Sequence, residues 1–104
     1  MVIWFNNLKA RSFMLKNGFV YTLRPQLRKI SGQEVLMYGD LGKKGVVYTM
    51  FISELKSDEE LRSVCPFSGF STIEEWREAA KDSKFLYYVS ILRLEEEKEN
   101  IKSA

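Results

Sequence analysis

The stretch that decides the fold is FVYTLRP, Phe19–Pro25, preceded by Asn17 and Gly18. Phe19, Tyr21 and Leu23 fall on one side of an extended chain and Val20, Thr22 and Arg24 on the other, the two-residue period of a β-strand. Pro25 ends the ladder, because it has no N–H to donate and biases Arg24 toward an extended backbone. Such a strand belongs at the edge of a sheet. Immediately upstream, NNLKARSFMLKNG has Asn6 or Asn7 as a helix cap and Gly18 as a left-handed stop, so a short helix runs straight into this strand. Leu8, Ser12 and Leu15 fall on one face of that helix.

Working outward, MVIWF reads as a short buried strand, and PQLRKISGQ as a polar connection with Gly32 as its turn residue. EVLMYG and VVYTMFISEL, joined through DLGKKG, form a hairpin. Ser57 and Glu60 in SDEELRSV have the spacing of a capping box, which predicts a helix of one or two turns stopped by Pro66. STIEEWREAAKDS repeats the signal with Ser71 and Glu74, or Thr72 and Glu75, and places Ile73, Trp76 and Ala80 on a buried stripe. KFLYYVSILRL is apolar on both faces, as a central strand would be. The order β-α-β-β-β-α-α-β predicts an α+β fold, a small, strongly curved sheet or barrel of about five to six mostly antiparallel strands with about two to three flanking helices.

With 104 residues the chain has the length of one domain, taken as residues 1–94, followed by a charged tail over 95–104. No apolar run approaches the roughly 18 residues that span a bilayer, and the N-terminus lacks a signal-peptide core, so a soluble cytoplasmic protein is expected. Cys65 is the single cysteine, which excludes an intrachain disulfide and a cysteine-rich metal site; it reads as a small apolar residue. Histidine is absent, which excludes imidazole catalysis and histidine-based metal sites, and no cofactor is expected. Charge is uneven: residues 1–56 hold nine Lys or Arg against three acids, and the remaining 48 hold seven against eleven. A basic first half suits a phosphate-bearing partner.

The motifs then line up. A helix ending in Gly18, a strand ending T-x-R at Thr22 and Arg24, hairpin strands, a helix opened by S-G-F-S-x-x-E-x-W at Ser68–Trp76 and a last strand YVSILRL together resemble the ASCH domain family, over roughly residues 8–94. The resemblance implies a PUA-like β-barrel that binds RNA or nucleotide-like ligands in a cleft between barrel and helices. Small members similar in length use a lysine, a threonine and a later glutamate to hydrolyse the amide of acetylcytidine. Thr22 matches their threonine, two residues before the arginine. Where they carry lysine, three residues before the threonine, this chain has Phe19. An ammonium of lowered pKa can activate a threonine hydroxyl; a phenyl ring cannot.

The resemblance therefore implies Thr22 and Arg24 as ligand contacts without carrying over the catalysis. Arg24 offers paired donors to a phosphate or base edge, and Thr22 can donate or accept. Lys16, six residues upstream, would replace the missing lysine only if the turn folded it back. Arg28, Lys29, Lys43 and Lys44 are candidate phosphate contacts, although paired lysines at a turn are ordinarily solvated. The five tyrosines, with Trp4 and Trp76, are candidate stacking platforms, most of them expected in the core. Glu34, Glu54, Glu74 and Glu75 are available for acid–base work, the last two better explained as capping residues. The expected function is a non-catalytic RNA- or nucleotide-binding module. The alternatives are an amidohydrolase acting on a modified nucleoside such as acetylcytidine, and a protein-binding module using the acidic second half.

Overall fold

Local signals set the first helix and strand. In the computed structural model, which describes residues 1–28, 31–40 and 42–95, Asn7 caps helix α1 (Leu8–Asn17) by accepting the Ala10 N–H at 3.1 Å. Such a cap contributes about 1 kcal/mol. At the other end Gly18 takes φ 88°, a left-handed conformation that favours glycine, and its N–H closes the helix on the Met14 carbonyl at 2.8 Å. The chain then enters β2 (Phe19–Arg24) directly.

Around this pair lie β1 (Val2–Trp4), β3 (Gly32–Met37), β4 (Gly45–Glu54), helix α2 (Ile73–Ala79) and β5 (Phe85–Leu94). One five-stranded sheet results, in the order β1-β3-β4-β5-β2. Only the β1–β3 pair is parallel. As the alternation required, β2 is an edge, and the doubly apolar β5 is central, between β4 and β2. The β4–β5 ladder shifts register between Val46 and Val47 and between Phe51 and Ser53. Irregularities of this kind bend strands and increase twist. The sheet curls into a half-barrel around Ile3, Val20, Leu36, Val47, Tyr87 and Val89, all fully buried.

Two expectations change. The buried residues of α1 are Ala10 and Met14, while Leu8 and Leu15 are exposed. The reason is a close crossing: a Cβ on Gly69 would lie 2.4 Å from the Lys9 carbonyl oxygen and 3.0 Å from the Ala10 Cα, so the loop through Ser68–Phe70 lies against the α1 backbone. Ala10 is the small residue that permits this approach. The segment expected as a helix at SDEELRSV is instead a 3-10 turn, Asp58–Leu61, and a second such turn, Cys65–Phe67, follows it at the expected stop. Ser57 makes no side-chain cap, and the Glu60 carboxylate accepts the Lys56 N–H at 3.1 Å instead. So short a segment gains little from helical propagation, and burying Leu61 fixes it in tighter turns.

At α2 the choice falls on Thr72, whose hydroxyl accepts the Glu75 N–H at 3.0 Å. Trp76 is buried as its stripe required and stacks on Phe70 with centroids 6.4 Å apart. An ion pair between Lys9 and Glu75 joins α1 to α2. No helix among the described residues is long and apolar enough to cross a membrane.

The loop crossing is testable by Gly69→Ala. Gly69 has φ 93°, and the added methyl meets backbone, so strain and overpacking together should cost about 2–4 kcal/mol. Urea unfolding measures it; a loss below about 0.5 kcal/mol would mean that the loop is not seated on α1.

Candidate functional site

A curled sheet that does not close leaves two edges to satisfy, and here they are β1 and β2. Met1 and Met37 carbonyls accept the Val35 and Phe5 N–H groups, so alternate residues of β1 point their peptides at β3. Those of Val2 and Trp4 face the other way, toward β2. Two arginines meet them. Arg24 Nη1 donates to the Trp4 carbonyl at 2.9 Å, and Arg28 Nη2 to the Val2 carbonyl at 3.0 Å. The seam is bridged by side chains where a closed barrel would have a backbone ladder.

Both guanidinium groups are held from behind. Arg28 forms an ion pair with Glu34 of β3, which is 3 % exposed. The Arg28 N–H donates to the Tyr87 hydroxyl at 2.5 Å, and that hydroxyl donates to the Arg28 carbonyl at 3.3 Å. Arg24 lies over the Phe5 ring, 4.6 Å from its centroid. Burial pushes the Arg24 guanidinium down to about 10, and neighbouring Arg28 adds to the effect, while Glu34 opposes it. At neutral pH it keeps its charge. Arg24 Nε, Arg28 Nε, Glu34 Oε2 and Thr49 Oγ1 are buried without a protein partner among the described residues. Buried polar atoms of this kind ordinarily hold ordered water or a ligand group.

Above Arg24 the seam widens into a cavity of about 140 Å³. Trp4, Asn6 and Asn7 form the β1 side, and Thr22, Leu23 and Arg24 the β2 side. Phe70, Trp76, Ala80 and Ser83 roof it. Ile91 N–H donates to the Gly18 carbonyl at 2.8 Å, which fixes the ladder's alternation: residues 18, 20, 22 and 24 bond to β5, and the Leu23 peptide points into the seam. Thr22 is 7 % exposed, and its hydroxyl makes no hydrogen bond among the described residues. The cavity thus gathers a hydroxyl, a guanidinium and the free edge of a strand between apolar walls.

The other candidates are not brought here. Lys16 sits in the last turn of α1, exposed, outside the cavity lining. Lys43 pairs with Glu95 at 3.8 Å, and Lys44 pairs with Asp40 at 2.7 Å and lies over the Tyr38 ring. Lys29 lies outside the described residues. Glu74 and Glu75 belong to the first turn of α2, with the Glu75 carboxylate accepting the Ser71 N–H at 2.8 Å. Glu54 pairs with Lys84. Phe19 packs against Phe13 and Tyr88 on the opposite face of β2 from Thr22. Sequence reading missed Glu34 as the anchor of the seam and Asn6, Asn7 and Ser83 as cavity residues; a glutamate on the buried face of an alternating strand was the available signal for the first.

No family model, no curated protein and no solved structure matches this chain. The site therefore stands on its own geometry. A larger depression of about 680 Å³ runs along α2, but it is open, and its cations already face carboxylates, as in Arg62–Glu59, Arg77–Asp58 and Lys81–Glu78. Among the described residues no cluster of His, Cys, Asp or Glu is placed to hold a metal ion.

The seam makes a specific demand on Glu34. Glu34→Gln leaves the Arg28 charge without its anion in a buried setting and should cost about 3–5 kcal/mol in denaturant unfolding. Replacing both partners, Arg28→Met with Glu34→Leu, should recover most of that loss. A single variant as stable as the wild type contradicts the pairing.

Proposed function

We propose that the protein is a non-catalytic, PUA-like binding module that holds RNA or a nucleotide-like ligand at the seam between β1 and β2. The observation that carries the proposal is the joint lining of one cavity by Thr22 and Arg24, the two residues singled out by the ASCH resemblance. A cavity of about 150 Å³ admits a single benzene-sized ring. At about 140 Å³ this one suits a pyrimidine base and excludes a whole nucleotide. Trp4, Phe70 and Trp76 supply apolar walls, while Thr22, Arg24 and the Leu23 peptide supply the donors and acceptors that read a base edge. The sugar and phosphate then lie at the mouth.

Binding is favoured over hydrolysis because the lining residues include no lysine and no carboxylate. A threonine hydroxyl without a neighbouring base is a poor nucleophile. Phe19 occupies the expected lysine position on the far face of the strand.

Titration of cytidine and of short RNAs tests the reading. Thr22→Val should weaken cytidine binding about fivefold to tenfold, the loss of one hydrogen bond, and Arg24→Met more. Undiminished binding by both variants, or no binding by the wild type, overturns it. Acetylcytidine should remain intact; its conversion to cytidine, abolished by Thr22→Val, would replace this reading with the amidohydrolase one. Cytidine binding should also be level from neutral pH to about 9 and fall as pH rises through about 10, where Arg24 loses the proton that gives it its charge. A profile still level above that range would mean that the guanidinium charge is not used.

A further inference from the structure

The outer face of the sheet carries a second feature, independent of the cavity. Register places Phe19, Ser90, Tyr48 and Gln33 in one row across four strands, and Tyr21, Tyr88 and Met50 in the next. Rows on one face stand about 7 Å apart. Tyr21 and Tyr88 have ring centroids 5.2 Å apart, and Phe19 lies 5.8 Å from Tyr88. Tyr48 and Met50 are 39 % and 41 % exposed. The phenol groups of Tyr21, Tyr48 and Tyr88 make no hydrogen bond among the described residues.

Charge selects the occupant. None of these outward residues is a carboxylate, nor are their neighbours Val35 and Val46. Lys16, one helical turn beyond Phe13, whose ring meets Phe19 edge-on at 5.7 Å, stands at one margin of the rows. Arg93, opposite Val46, stands at another, where Glu95 pairs with both Arg93 at 3.4 Å and Lys43 at 3.8 Å, two cations to one anion. Acids concentrate elsewhere: Asp58, Glu59, Glu74, Glu78 and Asp82 line the depression along α2. A surface of aromatic faces and free phenol donors, with cations in excess at its margins and no carboxylate in its rows, complements a polyanion that carries π-faces.

We infer that this outer face is a stacking surface for single-stranded nucleic acid. Bases lie on Tyr48 and on the Tyr21–Tyr88 pair, phenol and amide groups meet their polar edges, and Lys16 neutralises phosphate. Stacking makes the surface tolerant of sequence.

The test uses the full chain and an oligouridylate of about eight nucleotides, a length within the range of single-strand binding surfaces. Tyrosine fluorescence should be quenched on titration, with affinity falling on added salt. Tyr48→Ala should weaken oligonucleotide binding about tenfold, Tyr48→Phe should retain most of it, and neither should change cytidine binding. Conversely, Thr22→Val should leave quenching of the outer tyrosines in place, so failure of this surface and failure of the cavity are separable. Absence of binding at low salt, or equal binding by Tyr48→Ala and wild type, overturns the inference. So does sedimentation showing a dimer that Tyr48→Ala dissociates, which would give the face to a second copy of the chain.

Discussion

Two hydrogen bonds from arginine to carbonyl, Arg24 to Trp4 and Arg28 to Val2, set the constraint on which the rest of the molecule depends. A three-residue strand such as β1 has little ladder of its own and, unpaired on one side, offers bare acceptors to water or to another chain. The arginines occupy those acceptors and draw the far edge of the sheet, β2, toward them. Their charge has to be compensated in a poorly solvated place, which explains a buried Glu34 on β3 and the hydroxyl of Tyr87 beneath. Hydrogen bonds to charged groups contribute about 1.5–3 kcal/mol each, enough to decide whether so short a strand stays docked.

The candidate site lies where this bridging stops. Below Arg24 the seam is spanned; above it the edges diverge, and α2 with the Phe70 loop covers the gap. The same residue that bridges the edges therefore forms the floor of the cavity, with Thr22 beside it on the inward face of β2. Outward on that strand, Phe19 and Tyr21 join an aromatic cluster. One edge strand lines a pocket on one face and an aromatic row on the other, and the period-two alternation keeps the two apart.

Much of this was legible because it is local. Gly18, Pro25 and the alternation between them carry the helix stop, the edge strand and the shared face of Thr22 and Arg24, and the continuous apolar run of KFLYYVSILRL marks a central strand. What escaped was set at a distance. The buried face of α1 depends on Gly69, more than fifty residues away, pressing on Ala10. Glu34 looked like one of several carboxylates until the curl of the sheet brought Arg28 against it. Lys43 and Lys44 carry the same sequence signal as any basic turn, and only folding shows that Glu95 and Asp40 already face them.

Residue-resolved amide hydrogen exchange on Arg24→Met addresses the central claim most directly. If the guanidinium holds β1 in place, the Phe5 and Val35 amides, which bond across the β1–β3 ladder, should exchange about ten to a hundred times faster than in the wild type. Amides of Met50 and Tyr88, which bond across the middle of the β4–β5 ladder, should change by less than about twofold, because local opening of β1 does not reach them. Equal protection of Phe5 and Val35 in variant and wild type would contradict the account, since β1 would then stand without the arginine that is argued to hold it.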